Sequence, residues 1–373
     1  MSKVHTDGIG RSKPKIVSIY SGSGGIDAGF EKAGFQTVFA TDIWERACES
    51  LQLNFTNAEV RCSDIQNIDF SAIKIKCGGE IDGLVGGPPC PPFSKSRFYR
   101  KEKERGISDE DGFVTVSNYF RAVKELDPKF FFFENVHGFI YKPHQDALAL
   151  VEHESEQLGY KIFYKVLNAA DYGVAQTRER FICIGVKKGK GDFIFPKPTH
   201  SDPLKSVPGT KNWVTCGEIL SDIDFDLPED QKMQAGSKHK NLLKLVPPGD
   251  NYLFFTKERG YPKPIFKWRS RYWSFLLKLS KQRPSWTIQA SHSNNMGPFH
   301  WKNRFLRISE IRRIQSFDDN YIFVGSYREQ WRQIGNAVPP LLAFAIATEI
   351  KRQLFDSPDA AVLYESPYQI ANL

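Results

Sequence analysis

The chain has no apolar run long enough to cross a bilayer. A spanning helix needs roughly 18 or more apolar residues, and the oiliest stretches, residues 129–133 and 341–347, fall far short. Residues 1–13 are polar and basic and lack the apolar segment of a secretory signal, so they read as a loose tail. Cysteine is scarce, with six in 373 residues and no CxxC pair. That excludes a disulfide framework and a zinc site; no metal is expected, and the compartment should be a reducing one, the cytoplasm. Repeats and low-complexity segments are missing too. What is present is an ordinary globular mixture, 40% hydrophobic and 25% charged, which rules out disorder over most of the length. A chain of 373 residues suits one large domain plus a smaller one.

The net charge of +8 is unevenly placed. Residues 187–304 carry 21 basic against 10 acidic side chains, whereas the remainder is slightly acidic. Within that region, residues 238–283 interleave 12 basic residues with Tyr252, Phe254, Phe255, Tyr261, Phe266, Trp268, Tyr272, Trp273 and Phe275. Clustered cations among aromatics are the footprint of a polyanion-binding face. A solvated surface over a small aromatic core would give the same pattern.

The first half alternates short apolar runs with helical patterns. Residues 16–20, 37–41, 81–85, 130–133 and 181–186 read as buried strands; residues 26–33, 45–54, 116–125 and 145–158 read as helices. This alternation predicts an α/β domain, a mostly parallel sheet with helices on both faces. Beyond residue 186 prolines punctuate an irregular stretch, so a domain boundary is expected near 187–190. Helices return at 308–316 and 341–353.

Ser21-Gly22-Ser23-Gly24-Gly25 joins the first strand to the first helix, a turn that lets backbone approach a ligand. The dinucleotide fingerprint fails, because Asp27 occupies its third glycine position. Asp42, ending the second strand, is suited to ribose hydroxyls, and Asp64, ending the next, to an adenine amino group. A nucleoside without a required pyrophosphate is implied, and S-adenosyl-L-methionine fits better than NAD. At the same sheet edge, Gly86-Gly87-Pro88-Pro89-Cys90-Pro91-Pro92 locks one cysteine between prolines. The strand at 130–133 then delivers Glu134-Asn135-Val136, a carboxyl that needs a task or a partner there. Gln176-Thr177-Arg178-Glu179-Arg180 leads into the last strand.

In this order the segments IVSIYSGSGG, GGPPCPPFS, FFFENV, QTRER and QIGNAVPP resemble the motifs of the cytosine-5 DNA methyltransferases. Arg304-Phe305-Leu306, continuing through Glu310, Arg313, Gln315 and Phe317, resembles the family's penultimate motif. The resemblance covers nearly the whole chain apart from the tail and the basic segment. It implies a Rossmann-like methyltransferase domain at 14–190, rejoined by 326–373, and a smaller irregular target-recognition domain at 191–325. It further implies that Cys90 adds to cytosine carbon 6, that a protonated Glu134 holds the ring, and that Arg178 and Arg180 grip the flipped nucleotide and its phosphate. Tyr20, Gly22, Gly24, Gly25, Asp42, Ile43, Asp64, Ile65, Pro89 and Asn336 would line the cofactor. Ser94, Lys95, Lys267, Arg269 and Arg271 would meet DNA, with the basic run between Pro92 and Phe113 closing over the flipped base. Asn135 would order the loops.

Some positions depart from the family pattern. Tyr20 replaces the usual Phe, Pro91 a common Gln, and Ile43 an aromatic; Phe317-Asp318-Asp319 lacks a proline, and Asp111-Gly112 matches the fifth motif loosely. None removes a reacting group. The expected protein is a monomeric, sequence-specific enzyme acting on double-stranded DNA, a prokaryotic modification enzyme with a cognate restriction endonuclease, located at the nucleoid. An RNA (tRNA) cytosine-5 methyltransferase, or a catalytically silent DNA-binding protein on the same scaffold, are the alternatives.

Overall fold

The computed structural model describes residues 12–89, 110–269 and 272–356. Its centre is a seven-stranded sheet built from β1 (Lys15–Ile19), β2 (Gln36–Asp42), β3 (Glu59–Cys62), β4 (Gly83–Gly86), β5 (Phe130–Val136), β6 (Tyr160–Asn168) and β7 (Glu179–Lys187), in the order β3-β2-β1-β4-β5-β7-β6. The first five strands run parallel; β7 enters antiparallel between β5 and β6. The sheet is therefore mostly parallel, as its apolar runs predicted.

Both faces are covered, which is why β5 reads Phe-Phe-Phe-Phe instead of alternating. Phe131 and Phe133 point into a core made with α3 (Phe70–Lys76), α4 (Glu110–Leu126) and α5 (Gln145–Gln157). Phe130 and Phe132 point the other way, against α1 (Gly25–Lys32) and α10 (Pro340–Leu354). The helices α1 and α10 touch backbone to backbone. A Cβ on Gly29 would lie 2.6 Å from the Pro340 carbonyl oxygen, so any larger residue would force the two helices apart. In this way the chain's end packs against its beginning.

A third core joins α2 (Glu45–Asn54), through Leu51 and the following Phe55, to α8 (Ile308–Ile314) and α9 (Tyr327–Asn336). Between β7 and α8 the described residues form only short pieces: β8 (His200–Ser201) paired with β9 (Lys211–Asn212), α6 (Cys216–Ile219), α7 (Lys240–Leu245) and several 3-10 turns. This region has its own small core, where Tyr252, Phe255 and Leu276 are buried and Phe254, Tyr261, Phe266 and Phe275 pack around them. Most of the aromatics interleaved with the cations are thus core residues. Trp268, Tyr272 and Trp273 stay exposed. Buried ion pairs fasten this region to α8: Arg304 grips fully buried Glu310 at 2.6 and 2.8 Å, and Arg307 holds Asp230. Among the described residues no helix is long and apolar enough to cross a membrane.

Candidate active site

Strand order reverses between β1 and β4, where an open α/β sheet places its ligand crevice, at the carboxyl ends of the strands. The glycine turn leaves β1. Tyr20 and Gly22 both have positive φ, 51° and 54°, and Gly24 follows at 84°. A side chain at Gly24 would collide with Phe55 and Tyr321, at 2.4 and 2.6 Å, whereas nothing lies within 4 Å of a Cβ on Gly22. The turn is packed on one side and open on the other.

Asp42 clamps this turn. One carboxylate oxygen accepts from the Gly22 N–H at 2.8 Å and the other from the Trp44 N–H at 2.9 Å. Burial pushes its pKa up, opposed by those N–H groups and by the positive charge of Arg332. Each oxygen keeps a further lone pair for a ribose hydroxyl. Ile43, beside it, is 70% exposed, an apolar side chain held at the crevice instead of in a core. Trp44, which the sequence reading passed over, lies under the Arg332 guanidinium at 4.4 Å. Asp64 accepts from the Gln66 N–H and so caps the 3-10 turn beginning at Ile65, which is buried. Tyr20 donates to the Thr115 carbonyl, and burial, with Asp64 and Asp42 nearby, raises its pKa. Gly25 is packed against the Val338 carbonyl; Asn336 and Pro89 are exposed.

The loop leaving β4 rests on the end of β5. The Asn135 amide donates to the Pro88 carbonyl at 3.2 Å, so Asn135 does order the loop. A Cβ on Gly87 would stand 2.6 Å from Glu134 Oε2, so only glycine lets the loop pass over that carboxyl. Glu134 Oε1 is held by Arg180 Nε at 2.8 Å, with both side chains nearly buried. The register explains the pair. Glu134 lies opposite Ile182 and Val136 opposite Arg180, so Glu134 and Arg180 are diagonal neighbours on one face, within reach of a long side chain. Burial raises the Glu134 pKa; the charges of Arg180 and Arg178 work against it.

Arg178 is buried. Its buried guanidinium donates to the carbonyls of Ile288 at 3.0 Å, Gly335 at 2.8 Å and Asn336 at 3.4 Å. It is a strut between Ile288 and the closing motif, and its charge also reaches Glu134. Two buried amides extend the strut. Gln176 donates to Gln315 at 2.5 Å, and Gln315 donates to the Ala337 carbonyl at 2.6 Å. Nothing local in the sequence marks that partnership across 139 positions.

Cys90, Ser94, Lys95 and Arg271, and the basic run expected to close over the base, lie outside the described residues. Lys267 and Arg269 are exposed, and the Tyr252 hydroxyl pins the Arg269 backbone from both sides.

A model of the C-5 cytosine-specific DNA methylases matches residues 14–352. The chain belongs to the C-5 cytosine-specific DNA methylase family. The methylase is 37% identical over 369 residues to Type II methyltransferase M.SacI of Streptomyces achromogenes, covering 91% of this chain and 93% of that protein. It is 34% identical over 357 residues to Type II methyltransferase M.NgoFVII of Neisseria gonorrhoeae, covering 95% and 91% respectively. Among solved structures it resembles a DNA modification methyltransferase encoded within an Escherichia coli prophage, with a TM-score of 0.66 at 21% identity over 92% of this chain and all of that one. The Entamoeba histolytica methyltransferase EhMeth gives 0.60 at 17%, over 93% of this chain and all of that one. These two likenesses concern the fold, which is the Rossmann-like methyltransferase fold. The methylase is a DNA (cytosine-5)-methyltransferase.

Proposed function

We propose that Cys90 and Glu134 carry the chemistry of this methylase and that Arg180 positions it. The observation that supports this most is the Glu134–Arg180 pair directly beneath Gly87, three residues before Cys90. Addition of the Cys90 thiolate to cytosine carbon 6 makes carbon 5 nucleophilic. Glu134 Oε1 faces Arg180, so a proton on Oε2 faces the loop, where it can be donated to the ring nitrogen at position 3. Burial favours that protonated form. The target cytosine has to leave the duplex to meet these groups.

S-adenosyl-L-methionine would supply the methyl group when bound. The crevice suits it: open space over Gly22, lone pairs on Asp42, and the exposed side chain of Ile43 beside them. Gly24, Gly25, Asp64, Ile65, Pro89, Asn336 and Tyr20 complete the surrounding wall. Residues 191–325 form the target-recognition domain, with 14–190 and 326–373 as the catalytic domain. Lys267, Arg269 and Arg271 meet DNA phosphates there, and Ser94 and Lys95 meet DNA beside Cys90. The methylase works as a monomer on double-stranded DNA at the nucleoid and protects the site of a cognate restriction endonuclease.

Labelled S-adenosylmethionine offered with duplex DNA or with tRNA tests the substrate. Label should enter 5-methylcytosine in DNA alone, and methylome sequencing of an expressing host should return one short sequence. Label in tRNA, or methylation spread without sequence preference, would overturn the proposal.

A further inference from the structure

Residues 285–288 are strapped onto the segment that leads into β7. Ser285 donates to the Ala175 carbonyl and accepts from the Thr177 N–H, each at 2.8 Å. The Ile288 N–H reaches the Gln176 side chain at 3.0 Å, and the Ile288 carbonyl receives Arg178. Ser285 and Ile288 are buried, yet Trp286 between them is 39% exposed. Its ring meets Trp273 edge-on, with centroids 5.2 Å apart and planes at 80°. Trp273 is itself 42% exposed and is anchored through its carbonyl, which accepts from buried Asn251 at 2.8 Å. Two large rings are thus left about two-fifths exposed on a hydrogen-bonded mount, although nearby aromatics are folded into the core.

Their position matters. Thr177, bonded to the strap, lies three residues before Arg180, roughly 10 Å along extended chain from the arginine that holds Glu134. Lys267, Arg269 and Arg283 are exposed in the same region and make no ion pair among the described residues. A polyanion whose bases become unstacked beside the active site matches a segment that carries both exposed cations and a half-exposed aromatic pair. Flipping the cytosine uncovers one face of its neighbour in the duplex, and an aromatic ring can replace the lost stacking.

We propose that the Trp286 indole, braced by Trp273, stacks on the nucleobase face that flipping uncovers next to the target cytosine, and so positions the DNA in its flipped state. This rests on the assignment of the recognition region's exposed face to DNA.

The test compares wild type with Trp286→Ala, Trp286→Phe and Trp286→Leu on a duplex carrying the site found by methylome sequencing. Affinity is measured by competition, and flipping by the emission of 2-aminopurine at the target position. Trp286→Ala should bind the site about ten-fold or more weakly, the scale of one base–aromatic stack, with dimmer emission. Affinity should recover on a probe-free duplex whose target cytosine is mispaired, because a mispaired base is already easier to unstack. Trp286→Phe should stay within a few-fold of wild type, and Trp286→Leu should behave like Trp286→Ala. Unchanged affinity and emission in a folded Trp286→Ala protein would overturn the proposal. So would equal loss on site-free DNA, or a leucine variant as good as the phenylalanine one; that last pair decides the matter even if the alanine variant fails to fold. Neutralising Lys267 and Arg269 tests the underlying assignment separately. An unchanged salt dependence there removes the DNA face, whereas a weakened one alongside a silent Trp286→Ala removes only the stack.

Discussion

Replacing Glu134 by Gln keeps the side chain's volume and its carbonyl but removes the ability to give up a proton. Two consequences follow from the structure. Arg180 loses the carboxylate 2.8 Å away. Removing one partner of a fully buried pair costs about 3–5 kcal/mol. Here the two side chains keep 11% and 13% of their exposure and the Gln carbonyl can still accept, so the loss should fall at or below the lower end. Typical domains hold about 5–15 kcal/mol, so the variant should remain folded. The larger effect is on rate. Loss of a positioned acid lowers rates by roughly two to four orders of magnitude, about 3–5 kcal/mol of transition-state stabilisation. The pH profile carries the sign. Burial raises the folded pKa of Glu134, and in the proposed role its protonated form is the working one, so activity should be present below that pKa and decline as pH rises through it. The Gln variant has no such group and should lack that alkaline limb. Single-turnover methyl transfer at saturating DNA and cofactor, followed across pH, measures both quantities, with circular dichroism as the control for folding. A variant rate within a few-fold of wild type, or an alkaline limb that survives the substitution, would refute the role given to the carboxyl.

Cys90→Ala should abolish methyl transfer while leaving DNA binding largely intact, and DNA containing 5-fluorocytosine should trap wild type covalently; residual turnover within a few-fold of wild type would remove Cys90 as nucleophile. Neutralising Lys267, Arg269 and Arg271 together should lower the slope of log affinity against log salt by about one unit for each true phosphate contact; a fixed slope would make them framework residues. Asp27 is fully buried at the start of α1, and neither of its oxygens accepts a well-formed hydrogen bond. Burial raises its pKa from 3.8 to about 7, with nearby Ser18 and Thr37 offsetting only part. A raised pKa means that the stability it contributes is full below about pH 4 and lost as pH rises through about 7, on the order of 4 kcal/mol in all. Asp27→Asn should therefore lose less stability than wild type between pH 4 and pH 8 in denaturant titrations, and parallel curves for the two proteins would contradict this.

Most of the sheet was legible because its signals are local. A strand buried on both faces shows as a continuous apolar run, and β1, β2, β4, β5 and β7 were all found that way. Of the nine residues of β6 only Tyr160 and Leu167 are buried, because it is an edge strand, so it left no run to find. The glycine turn, the Gly87–Pro89 loop and the Glu134–Asn135 pair sit at strand ends, where element boundaries already place them at one edge of the sheet.

Tertiary structure alone decided the partnerships. Arg178 and Arg180 stand two residues apart, yet one is a buried strut to three carbonyls and the other holds Glu134. Which arginine does which depends on the antiparallel register of β7 against β5, and no pattern within QTRER encodes it. The aromatics of the basic segment divide in the same way. Phe255, Phe266 and Phe275 close a core while Trp273 and Trp286 face solvent, although composition treats them alike. Periodic burial of side chains is written along the chain and selects helices and strands. Which polar groups meet, and which rings stay bare, is set by segments that come together only in the folded molecule, from positions 46 apart for Glu134 and Arg180 and 158 apart for Arg178 and Asn336.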